Sequence, residues 1–145
     1  QTNGHALQDF ARLEVEVKFM IMDRQNIPGA APALDYTHSQ LPLWKEFEDH
    51  VLAAELPDPG PVWQNNGHRE SVDICLQLLQ KLRACAIEIQ KVKRSESDPD
   101  FFTEYLPPLF YHTLHAISYP SLSIFKRLLA VYSAGRILER LSAKG

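Results

Sequence analysis

The sequence predicts an all-α, bundle-like single domain of about five helices. Three observations carry that prediction. Apolar residues recur at three- and four-residue steps in the long segments. Clusters of proline and glycine cut the chain into pieces of helical length. The one stretch that alternates like a strand, Leu13–Met22, has no second such stretch to pair with, and a lone strand leaves its backbone groups without partners.

That stretch, LEVEVKFMIM, reads apolar, charged, apolar, charged before turning apolar. The helical period starts earlier, because Ala6, Phe10, Leu13, Val17 and Met20 already step by four and three. Residues 5–24 are therefore expected to be helical. Val15, Phe19 and Met22 then fall off the main stripe, so this helix is apolar nearly all round and is either central or the seam of an oligomer. A long loop, NIPGAAPALDYTHS, follows with two prolines. LPLWKEFEDHVLAAEL reads as a second helix with Pro42 in its first turn and Leu43, Phe47, Val51 and Ala54 inward.

After the loop ELPDPGPVWQNNG comes the clearest element, a long amphipathic helix at about 68–92. Val72, Cys75, Leu79, Leu82, Ala86 and Ile89 form its stripe, and Leu76, Leu78 and Cys85 widen it. The polar break KRSESDPD ends it. Asp98 followed by Pro99 is an N-cap signal for a helix at about 99–118, with Phe102, Leu106, Leu109, Phe110, Thr113 and Ile117 inward. Pro107 and Pro108 remove two backbone donors, so a kink or two short helices are expected. The last helix runs from about Ser118 or Ser121 to Ser142. Its expected stripe is Ile124, Leu128, Val131, Leu138 and Leu141, with Gly135 inserted and Ala134 beside it, which would allow another helix to approach closely.

Composition narrows the functional classes. The chain of 145 residues is 45% hydrophobic and 23% charged, ordinary for a globular domain large enough to bury a core. No apolar run reaches the length of a membrane span. A start at Gln1 in place of Met reads as a processed chain or a fragment of a longer protein. The net charge of −3 is uneven: residues 1–75 hold five Lys and Arg against twelve Asp and Glu, or −7, and residues 76–145 hold ten against six, or +4. The two halves either complement each other or leave a basic face for an acidic partner. Cys75 and Cys85 lie ten residues apart on one expected helix, roughly 15 Å along its axis, too far for a disulfide. Two thiols suit a reducing, intracellular setting, cytoplasmic or nuclear.

Motifs for chemistry are sparse. No phosphate-binding glycine loop, nucleophile elbow or HExxH helix is present, and HRES at His68 lacks the second histidine. His112 and His115 could share a metal, but the carboxylates of a diiron bundle are missing. No histidine lies between His68 and His112, where a heme ligand would be sought. No cofactor, metal or catalytic residue is therefore assigned. A cleft at the proline kink would bring Glu104, Tyr111, His112 and His115 together as a pocket of a small helical enzyme or ligand-binding bundle. Lys126, Arg127, Arg136 and Arg140 make the last helix basic, which would suit nucleic acid or an acidic partner. Aromatic residues are not interleaved with those charges, however. Trp63, in the proline-rich loop, is either a pin to the core or a binding anchor. The leading expectation is a non-catalytic protein–protein interaction or assembly module, a scaffold or regulatory domain, possibly homodimeric. Its contact residues would be Val15, Phe19, Met22, Trp63, Ile74 and Leu78.

Overall fold

The computed structural model describes residues 2–21, 41–58, 69–93, 100–122 and 124–144. These residues form five α-helices and, among them, no strand. Helix α1 spans Thr2–Glu16 and continues as a π-helical turn over Val17–Ile21; α2 spans Leu41–Ala53, α3 Arg69–Lys93, α4 Phe101–Ala116 and α5 Ile124–Lys144. The alternating stretch is thus helical as far as Ile21. Met22, the loop at 26–39, Trp63 and the break at 94–98 lie outside the described residues, as do the side chains of Met20, Leu43, Trp44 and Ile74.

The helices pack as a bundle in which α1 lies against α3 and α4, α4 against α5, and α5 against α2. Asp100, not Asp98, caps α4. Its carboxylate accepts from the Thr103 backbone N–H at 2.9 Å and from the Thr103 hydroxyl at 2.7 Å, which satisfies one of the unbonded donors of the first turn. Helix α4 runs unbroken through Pro107 and Pro108. It forgoes the bonds those residues would donate to the carbonyls of Thr103 and Glu104. Its buried side, from Phe101 to Ala116, holds the helix in place across the gap. A tight turn follows α4, with Ser118 N–H donating to the His115 carbonyl and Tyr119 N–H to the Ala116 carbonyl, each at 3.1 Å.

Helices α1 and α5 turn a different face inward from the one their apolar period predicts, whereas α3 keeps Cys75, Leu79 and Ala86 of its expected stripe inward. Helix α1 buries Leu7, Ala11, Val15 and Phe19 together with Glu14 and Lys18, and Leu13 of the expected stripe is exposed. Helix α3 buries Cys75, Leu76, Leu79 and Ala86 together with Arg83 and Gln90, leaving Ile89 exposed. Helix α5 buries Leu129, Ala130, Ala134 and Ile137 with Lys126 and Ser133. Its expected stripe points outward. Gly135 is exposed, and a Cβ added there would meet no atom within 4 Å, so no helix of this chain approaches it. Helices α2 and α4 follow the sequence more closely: Phe47, Val51, Phe102, Leu106, Leu109 and Thr113 are buried, although Ala54 is exposed.

Candidate functional site

The rotated faces meet in a polar network inside the core. Glu14 and Lys18, one turn apart on α1, share its inward side. Arg83 crosses from α3 and grips Glu14 with two parallel bonds, Nε to Oε1 at 2.8 Å and Nη2 to Oε2 at 2.6 Å. Its Nη1 donates to the carbonyls of Val51 at 2.7 Å and Ala54 at 3.1 Å, closing the C-terminal end of α2. The Tyr105 hydroxyl of α4 donates to Glu14 Oε1 at 2.8 Å. In the π turn, Lys18 pairs with Glu48 of α2 at 2.9 Å and reaches Ser133 Oγ of α5 at 3.5 Å. All five helices therefore contribute a charged or hydroxyl group to this buried polar network.

The electrostatics follow from that enclosure. Burial alone would push the Glu14 carboxyl up, but the Arg83 guanidinium, with Lys18 and the Tyr105 hydroxyl, outweighs it and holds the group below the usual carboxylate range. Burial likewise opposes the charge on Arg83, and Glu14 reverses the balance and raises it. Tyr105 is pushed well above an ordinary phenol by burial and the adjoining carboxylate. Burial raises the Cys75 thiol well above its usual range, away from the thiolate form. Perturbed groups of this kind often mark active sites. Here Glu14, Lys18, Arg83 and Tyr105 are sealed from solvent, and their bonds go to other groups of the core.

The residues singled out in the sequence are dispersed. Val15 and Phe19 are each 2% exposed and belong to the core, which corrects their assignment to a surface patch. They fell off a stripe that does not face inward. Leu78 is half-buried. Glu104 accepts from the Gln90 amide of α3 and does not join the histidines. Tyr111, His112 and His115 do cluster on α4: Tyr111 stacks on His115 with ring centroids 6.2 Å apart and meets His112 edge-on at 5.2 Å. A shallow groove of about 380 Å³ lies at the proline pair, lined by Gln8, Pro107, Pro108 and Tyr111, without either histidine. Burial, then the charges of Arg12 and His115, lowers the His112 pKa, and its Nε2 is enclosed without a hydrogen-bond partner. Among the described residues no three His, Cys, Asp or Glu side chains converge on a metal position. Nor is any of their helices long and apolar enough to cross a membrane.

The four cations singled out on the last helix do not form one basic face. Lys126 is buried, and Arg127 donates to the Tyr119 carbonyl at 2.9 Å. Arg136 pairs with Asp49 at 2.8 Å and Glu139 at 3.1 Å, and Arg140 lies over the Phe102 ring at 5.6 Å. What α5 does present is apolar: Ile124, Leu128, Val131 and Leu138 are 71, 55, 52 and 49% exposed. A second apolar surface, between α1 and α3, is lined by Phe10, Ala84, Cys85, Glu88 and Ile89. The sequence named the α5 residues but assigned them to the core. Compared with known protein families, curated proteins and solved structures, the chain matches none.

Proposed function

We propose that the chain is a non-catalytic helical protein–protein interaction module whose contact surface is the outward stripe of α5. The observation that carries it is the exposure of Ile124, Leu128, Val131 and Leu138 in one row along a single helix. Isolated apolar side chains on a surface are ordinary, whereas a contiguous row marks an interface. A second observation supports a binding role over catalysis. The strongly perturbed ionisable groups Glu14, Arg83 and Tyr105 are enclosed in the core, and the exposed row carries no acid or base.

Photo-crosslinking in the source cells tests this. A photoreactive residue placed at Val131 is expected to trap a discrete protein adduct, and Leu128→Glu in the same chain to abolish it. The same photoreactive residue at Gln77, on the exposed side of α3, serves as the control. Equal adducts from positions 77 and 131, or none from 131, would remove α5 as the contact surface.

A further inference from the structure

We infer that the rim of the seam between α1 and α4 is an acid-sensitive latch, held shut by the neutral ring of His112 and loosened when that ring takes up a proton. The latch is independent of the α5 surface. Its seam is one of the two most extensive in the bundle. His112 lies one turn after Leu109 and next to Thr113, both fully buried. Its own side chain is half-buried, at the edge of the packed side of α4. The Tyr111 ring meets it edge-on, with centroids 5.2 Å apart.

The geometry suits one protonation state. Nε2 of His112 is enclosed and has no hydrogen-bond partner. A neutral imidazole can leave that nitrogen without a proton. An imidazolium carries a proton on both nitrogens, so Nε2–H becomes an enclosed donor that shares a positive charge and meets no acceptor. Enclosing such a cation costs far more than enclosing the neutral ring. The cation avoids that cost by turning Nε2 to water, which requires the rim of the seam to part.

The surrounding charges do not offset the cost. Those that act most strongly on the ring are Arg12, Asp9 and Glu16 of α1 and His115 of its own helix; none on α5 is among them. Asp9 and Glu16 attract the proton, but neither bonds to Nε2, and Glu16 also faces Arg12 at 4.0 Å. Burial first, then Arg12 and His115, hold the His112 pKa below its ordinary value of 6.5. The open rim, where the ring is solvated, therefore binds the proton more readily than the shut one. Closure is fully supported above the open-state value of 6.5 and weakens as the pH falls below it. At pH 5.5 a solvated ring holds about ten protonated forms to one neutral, so the ratio of open to shut rims rises by at most about tenfold.

Hydrogen exchange of the full chain tests the latch. It is read amide by amide by NMR at pH 7.5 and 5.5, corrected for the intrinsic rate at each pH, with the His112 ring titrated in the same samples. The ring is expected to titrate below 6.5. Protection of residues 9–16 of α1 should fall severalfold at the lower pH, and protection of residues 47–52 of α2 should not change. In His112→Gln, whose amide takes up no proton, protection of residues 9–16 should be the same at both pH values. Titration of His112 at or above 6.5 overturns the inference. So does protection of α1 that does not fall, that falls together with α2, or that falls equally in His112→Gln. If that variant does not fold, the ring titration and the two helices of the native chain decide.

Discussion

Arg83 shows how one side chain sets the orientation of its helix. Its guanidinium satisfies two carboxylate oxygens of Glu14 and carbonyls at the C-terminal end of α2, and its Cζ lies 5.4 Å from the Phe102 ring centre. A buried ion pair adds little net stability against an apolar pair of the same shape, but stranding one partner is expensive. Arg83→Met is therefore expected to cost about 3–5 kcal/mol, and Arg83→Met with Glu14→Leu to cost less than Arg83→Met alone. Urea unfolding with comparable slopes reads both. The pH dependence has a definite sign. The folded pKa of Glu14 lies below its unfolded value near 4.5. Its contribution is complete above that unfolded value and is lost as pH falls through the lower folded one. Stability of the native chain should fall across that acid window more steeply than that of Glu14→Gln, as measured by unfolding at a series of pH values.

At the scale of elements, α5 and α4 each tolerate a residue that a helix interior disfavours. In α5 the residue is Gly135, exposed and with open space where a Cβ would stand. Gly135→Ala is expected to raise the stability of the isolated chain by about 0.5–1 kcal/mol, since the added methyl meets nothing and the unfolded chain loses freedom. Thermal unfolding checks this, and a loss of stability would place an unrecognised contact over Gly135. In α4 the proline pair sits where Pro107 is exposed and Pro108 half-buried, so the missing bonds fall away from the core side formed by Tyr105, Leu106 and Leu109. The sequence located both helices and the three irregular residues Gly135, Pro107 and Pro108. It did not show that the apolar row of α5 faces out, because a row of Leu, Ile and Val has the same period whether it meets the core or a partner.

At the scale of the whole molecule, the charges of the core link helices that contact each other unevenly. Helix α1 is the hub against α3 and α4, while α2 packs chiefly on α5. Glu48 and the carbonyls of Val51 and Ala54 tie α2 to Lys18 and Arg83. Loss of any one helix would therefore strand a buried charge or hydroxyl on another. Unfolding is expected to be a single cooperative transition, with calorimetric and van't Hoff enthalpies equal. A separate early transition of α2 would show that the network does not couple it to the rest.

The sequence by itself determined the helical class and the order of the five helices, since local period, caps and breakers act within a few residues. It also determined that Cys75 and Cys85 do not bond each other, both lying on α3 ten residues apart. Only the tertiary structure decided which way α1 and α5 face, and that α3 buries Arg83 beside its apolar stripe. Apolar periodicity assumes that a charge points to water. Glu14 and Lys18 on α1 and Arg83 on α3 break that assumption together, because each supplies the bond the others need and none could be buried alone. Partners 69 residues apart cannot be matched by spacing along the chain. Once they meet, the greasy side of α5 is left outside.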